Sequence, residues 1–116
     1  MEISVMIKNK TLIASLCGEL DHHSAKEVKE MIEEVIKNRG VKNLIFDFSR
    51  LSFMDSSGIG VVVGRYKLIN SIGGNVAIVS QTRAVDRLLM MSGIKRLIST
   101  FNNLDDALLN IQEEIS

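Results

Sequence analysis

Proline is absent from this sequence, cysteine occurs once, and neither sign of charge is in excess, with fourteen Lys and Arg against fourteen Asp and Glu. Each shortage excludes something. Without proline there is no stiff proline-rich linker, and no repeat or low-complexity stretch suggests a linker of another kind. A lone cysteine forms no internal disulfide, so the fold must rest on its core. Flanked by apolar and small residues, Cys17 is expected as a buried small hydrophobe. A formal net charge of zero leaves no global field to draw the chain onto nucleic acid or an anionic membrane, so a protein or small molecule is the expected partner. No stretch approaches the roughly 18 apolar residues of a membrane span. The opening Met1-Glu2-Ile3-Ser4 has neither the basic start nor the apolar run of a secretory signal. The chain is therefore expected to be cytoplasmic.

What is present suits one globular unit over residues 1–116, with 46% hydrophobic and 24% charged residues. A chain of this size buries roughly two-thirds of its unfolded surface, enough for a core without staples. Apolar and β-branched residues at 3–8 and 11–17 surround Asn9-Lys10 and predict a hairpin. Ser24 and Glu27 have capping-box spacing ahead of a helix carrying Ala25, Val28, Ile32 and Val35 on one face, and Gly40 suits a left-handed cap behind it. Residues 43–48 read as a buried strand, Ile59, Val62, Val63, Tyr66 and Ile69 as a helix stopping at Gly73-Gly74, and 75–79 as another buried strand. Thr82 is expected to cap a third helix with Val85, Leu88 and Leu89 inward and Gly93 at its end, with Met90 and Met91 filling the core. Leu97-Ile98 suggest a short edge strand. Leu104, Ala107, Leu108, Ile111 and Ile115 line one face of a last helix, where Asp105 and Asp106 favour the positive N-terminus. The predicted class is α/β: a mixed β-sheet with an initial antiparallel hairpin and about four α-helices. Such sheets place their function at the carboxyl ends of strands, which directs attention to the loop after residue 48.

That loop reads Leu51-Ser-Phe-Met-Asp-Ser-Ser-Gly-Ile-Gly60 and runs into the second helix. Asp55, Ser56 or Ser57 can cap the helix, and small residues there need mean no more than good packing. A dinucleotide fingerprint does not fit, because after Gly58 and Gly60 the third glycine, Gly64, comes one residue late and no acidic residue ends the next strand. A hydrolase elbow lacks its upstream glycine, and the available bases are the adjacent His22 and His23, expected solvated or bonded to a loop. Cys17 with these two histidines lacks the spacing and fourth ligand of a metal site. No cofactor is therefore expected. A phosphoacceptor serine does fit, since a hydroxyl at a helix N-terminus lies beside unpaired amides and a partial positive charge.

Gly18-Glu-Leu-Asp-His-His23, the block Leu51 to Gly60, and Gly64-Arg-Tyr-Lys67 together resemble the anti-sigma factor antagonists of the STAS domain family, the sporulation members above all. The resemblance spans nearly the whole chain, with little signature in the first strand or after residue 100. It implies a regulatory, non-enzymatic protein whose unphosphorylated form binds an anti-sigma factor that is also a serine kinase, freeing the sigma factor for transcription. It further implies that the kinase phosphorylates the first serine of the block, Ser56, so that the partner lets go, and that a PP2C-type serine phosphatase reverses the change. A STAS-type module of another kinase and phosphatase pathway is the alternative. The implied partner-binding residues are Asp21, Asp55, Ser57, Gly58, Ile59 and Arg65, in a protein expected to be a monomer. Each has a plainer reading beside it: caps for Asp21 and Asp55, core packing for Met54 and Ile59, and a solvated face for Arg65 and Lys67.

Overall fold

The computed structural model describes the backbone of residues 1–115 and the side chains of residues 1–111. Along the chain lie β1 (Glu2–Lys8), β2 (Thr11–Leu20), α1 (Ala25–Asn38), β3 (Asn43–Met54), α2 (Ser56–Ser71), β4 (Val76–Val79), α3 (Arg83–Met91), a 3-10 turn (Ile94–Arg96), β5 (Ser99–Phe101) and α4 (Leu104–Ile115). The strands form one sheet in the order β1-β2-β3-β4-β5. Its first pair is antiparallel and the others are parallel, as the hairpin followed by strand–helix alternation predicts. Asn9 and Lys10, at φ 50° and 67°, supply the two left-handed residues of a tight hairpin turn.

Strand alternation divides the core in two. Leu12, Ala14, Leu16, Leu44, Phe46, Phe48 and Ile78 point to the face covered by α1, α2 and α3, while Ile13, Ile45, Ala77 and Val79 meet Ala107 and Ile111 of α4. Each large side chain fully buried this way contributes about 1.5–3 kcal/mol. Ile115, expected on the same stripe of α4, lies outside the residues whose side chains are described.

Several local expectations change in the folded chain. The strand predicted over 43–48 continues to Met54, because Arg50, Leu51, Phe53 and Met54 pair with Cys17, Gly18, Glu19 and Leu20 across two register shifts. What reads as a loop is thus mostly strand, and one residue, Asp55, separates it from α2. The 24/27 capping box does not form: Ser24 is itself helical, at φ −94° and ψ −17°, and makes no cap bond. Thr82 stands at the N-cap of α3, but its hydroxyl is turned toward the Leu51 carbonyl at 3.4 Å. Gly40, Gly73 and Gly93 do take left-handed conformations after their helices.

Met90 and Met91 are 61% and 73% exposed rather than in the core. Val85 and Leu89 set the inward stripe of α3, and the next two residues rotate about 100° each away from it. Cys17 is half-buried on the sheet face that α4 leaves open, beside Ser15, Asp47 and Ser49 in a shallow polar cleft of about 250 Å³. The expected edge strand at Leu97-Ile98 appears two residues later, at Ser99–Phe101, because the 3-10 turn occupies the residues before it.

Candidate functional site

Leu20 of β2 and Met54 of β3 are paired at the ends of neighbouring parallel strands. The chain segments leaving them therefore start side by side, about 5 Å apart. The amide of Asp55 donates to the Leu20 carbonyl at 3.3 Å, which ties the second segment to the end of the first. Asp21 and Asp55 are the first residues past these paired positions.

Asp55 is extended, at φ −117° and ψ −169°, and caps α2 by accepting the Ser57 amide at 2.8 Å. Its carbonyl accepts from the amides of Gly58 and Ile59, so the helix begins without an intervening loop. Gly58 faces inward, and a Cβ there would lie 2.5 Å from Met54 Cγ and 3.1 Å from Leu20 Cδ2. Only glycine lets the first turn of α2 sit this close to the strand ends. Ser56 is thereby the first residue of a helix anchored on both sides, and its side chain is exposed. No hydrogen bond among the described residues engages its hydroxyl.

Asp21 organises the other segment. One carboxylate oxygen accepts the amides of His23 and Ser24 at 2.9 and 3.1 Å, and its carbonyl accepts the Ala25 amide. Asp21 thus does the capping that spacing assigns to Ser24. The Ser24 hydroxyl donates instead to the Glu19 carbonyl at 2.8 Å and accepts from the Asp21 amide at 3.0 Å, closing the turn. These amides, Ser24 first, hold the Asp21 carboxyl below its ordinary value, with partial burial opposing and the neighbouring His23 assisting. His22 and His23 are exposed and pack edge to face.

Of the site residues read from the sequence, Asp21, Asp55, Ser56 and Ser57 come together at this edge. Gly58 lies beneath it as a close-packing position, and Ile59 is half-buried against the core, as is Met54 more completely. Arg65 differs most from a solvated-face reading, being 7% exposed in the third turn of α2. Periodicity holds the signal, since Gly58, Val61, Val62, Arg65 and Ile69 share the buried stripe. A guanidinium Nη of Arg65 lies 3.2 Å from Glu33 on α1, while Nε and the other Nη have no protein partner. Burial pulls this guanidinium below its ordinary pKa and Glu33 opposes the pull.

Two features escape the sequence reading. Lys26 and Lys29 of α1 border an open groove of about 450 Å³ that also touches Ser57 and Gly60. Phe53, just before the buried Met54, is exposed at the rim. The signals were an i, i+3 lysine pair beyond the Asp21 turn and an aromatic on the outward parity of a strand. Among the described residues no group of three or more His, Cys, Asp or Glu is placed to hold a metal, and no helix is long and apolar enough to cross a membrane.

The chain is similar to known proteins over nearly its whole length. A model of the STAS domain matches residues 2–107. The chain is 38% identical over 112 residues to an anti-sigma F factor antagonist of Paenibacillus polymyxa, a match covering 97% of this chain and 96% of that protein. It is similar to the anti-sigma factor antagonist SpoIIAA in its unphosphorylated form, with 25% identity, a TM-score of 0.73 and coverage of 94% and 96% of the two chains. It is equally similar to the Bacillus cell fate determinant SpoIIAA in the phosphorylated form, with 28% identity, a TM-score of 0.74 and coverage of 95% and 99%.

Proposed function

The chain belongs to the STAS domain family, and on that footing we propose that it is an anti-sigma factor antagonist switched by phosphorylation of Ser56. The observation that carries the reading is the exposed Ser56 hydroxyl at the first position of a helix locked to the strand ends. In this reading the unphosphorylated chain binds a cytoplasmic anti-sigma factor with serine kinase activity and so releases the sigma factor. The kinase phosphorylates Ser56, and a PP2C-type phosphatase restores the hydroxyl. The chain itself is a regulatory module and catalyses nothing.

The physics of the site supports this assignment. A phosphate at Ser56 adds about −1.5 to −2 charge at the exposed, positive end of the α2 dipole, so the fold tolerates it. Asp55 repels it, but at an exposed position that repulsion is screened. A partner must bury the same surface, and burying an unpaired dianion is costly. Phosphorylation therefore changes binding strongly and structure little. Asp21, Asp55, Ser57 and the exposed Phe53 would touch the partner, with Ile59 at the margin. Gly58 and Arg65 would act from beneath, the first by setting the height of α2 and the second by joining it to α1 through Glu33.

The test is incubation with an anti-sigma F kinase and ATP, followed by mass spectrometry and a binding assay. One phosphate is expected at Ser56, none on Ser56→Ala, and loss of binding on modification. Amide shifts should stay near residues 21–24 and 53–60. A phosphate on Ser57, or shifts spread through the sheet, would overturn the reading. The anti-sigma F relative at 38% identity favours this pathway over a STAS module of another kinase and phosphatase pair.

A further inference from the structure

The outer edge of β1 lacks the devices that keep exposed strands from pairing. Such edges are ordinarily short, bulged, covered, or interrupted by proline or lysine. β1 is seven residues long, and its register with β2 is unbroken from Glu2↔Cys17 to Lys8↔Thr11. Ile3 is half-buried, but Val5, Met6 and Ile7 are 43%, 62% and 36% exposed, and charges stand only at the two ends, Glu2 and Lys8.

The hairpin turn decides which backbone groups are free. In a two-residue turn of this hand, the flanking residues Lys8 and Thr11 exchange hydrogen bonds with each other. Antiparallel pairing alternates, so Lys8, Met6, Ser4 and Glu2 spend their amides and carbonyls on β2. Ile7, Val5 and Ile3 then direct theirs outward. Their side chains alternate onto the helix-bearing face, since they stand opposite Leu12, Ala14 and Leu16 of the main core.

We propose that two copies of this chain pair edge to edge through β1, antiparallel, on a two-fold axis at Val5. The strand is self-complementary about that residue. Val5 meets Val5 of the second copy, Ile3 meets Ile7, and both are pairs in which the free amides and carbonyls of each strand find one another. Glu2 falls opposite Lys8 of the second copy, twice, as closely spaced opposite charges. A parallel pairing sets Glu2 beside Glu2 and Lys8 beside Lys8. An antiparallel pairing centred on Ser4 or Met6 also sets free groups opposite free groups, but it loses both Glu2–Lys8 pairs and leaves Ile7 or Ile3 without a strand partner. The sequence therefore selects a second copy of itself, in one register, over an arbitrary strand.

The result is a continuous ten-stranded sheet with the half-open margin of each core closed by the other's Val5 and Ile7. Reversal of strand direction sends the two Ser56 edges to opposite ends, so both sites stay accessible. One strand pair is a small contact, at the low end for specific association, so the dimer depends on concentration. This contrasts with the monomer expected from sequence.

Sedimentation of the full chain from micromolar to millimolar concentration, with amide exchange across the same range, tests the proposal. The mass should rise toward twice the monomer, and exchange at Ile3, Val5 and Ile7 should slow with concentration while Ser4 and Met6 hold constant. Val5→Lys should stay monomeric with a folded amide spectrum. Glu2→Lys should weaken the dimer about tenfold by setting two like-charge pairs opposite each other, and Glu2→Lys with Lys8→Glu should restore it. A monomer at millimolar concentration would overturn the proposal. So would a dimer indifferent to Val5→Lys, or a double variant no tighter than the single. None of these variants touches the Ser56 edge, so either result leaves the proposed function standing.

Discussion

The Asp21 and Asp55 turns begin from paired residues on adjacent strands, and both use a carboxylate to accept backbone amides. Beyond that they diverge. After Asp21 three residues pass before the helix, two of them exposed histidines. After Asp55 none pass: strand becomes helix, and Gly58 seats the first turn against Met54 and Leu20. Hydrogen bonds around Asp21 and Ser24 close the first turn, while the second is also packed from beneath at Gly58, which sets the height of the Ser56 hydroxyl. A switch benefits from both, because the modified group must be placed reproducibly and its surroundings must recognise two states.

The contrast breaks if the two turns respond alike to damage. Gly58→Val should cost about 3 kcal/mol of folding stability by overpacking the helix against the strand ends. His22→Val in the other turn should stay within about 0.5 kcal/mol, as surface changes do. Denaturant melts of both variants make the comparison directly. Next in size is Glu33→Ala, which strands the guanidinium of the buried Arg65. A loss of about 2 kcal/mol is expected in the same melts. The double variant Arg65→Met with Glu33→Leu should recover most of it, since replacing a buried pair is cheaper than breaking one.

Smaller effects sharpen the contrast further. Asp55→Ala removes a cap worth about 1 kcal/mol, and should slow phosphorylation of Ser56 by loosening the first turn. Asp21→Asn keeps an oxygen for the cap, so stability should hardly move, while binding of the anti-sigma factor should fall about tenfold, or ~1.4 kcal/mol. Equal losses of stability and binding would reduce Asp21 to a structural cap. The smallest effect is in pH. The Asp21 carboxyl is held below its ordinary value by the Ser24 and His23 amides, so its contribution to stability is complete above the unfolded pKa, about 3.9. That contribution declines as pH falls through the depressed folded value. Thermal melts from neutral to strongly acid pH should show a shallower acid loss in Asp21→Asn than in the parent.

Sequence patterns reach a long way in this chain. The hairpin about Asn9-Lys10, the strand cores and the stripes of α1 and α4 follow from apolar spacing, whereas the buried stripe of α2 runs through Gly58, Val61, Val62, Arg65 and Ile69 and leaves the expected Ile59, Val63 and Tyr66 half-buried beside it. The left-handed glycines after α1, α2 and α3 follow from local backbone sterics. The gathering of Asp21 and Ser56 at one edge was legible only through the family motifs, because no local rule says which strands are neighbours. The misreadings share that cause. Ser24 has ideal spacing for a cap, yet the hydroxyl is taken by Glu19, and Asp21 supplies the cap from three residues earlier.

Local interactions are short in range, so the sequence alone determines helix, strand and turn wherever propensity and periodicity agree. It leaves Asp55, Ser56 and Ser57 as alternative caps of α2, and the folded chain puts Asp55 in that role with Ser56 exposed. Residues 50–54 become strand only because residues 17–20 lie alongside to receive their hydrogen bonds. Arg65 becomes a buried ion only because α1 carries Glu33 past it, and Met90 and Met91 remain in solvent because the stripe they leave is already filled. These outcomes depend on groups distant in sequence and adjacent in space, and the tertiary structure alone brings those together.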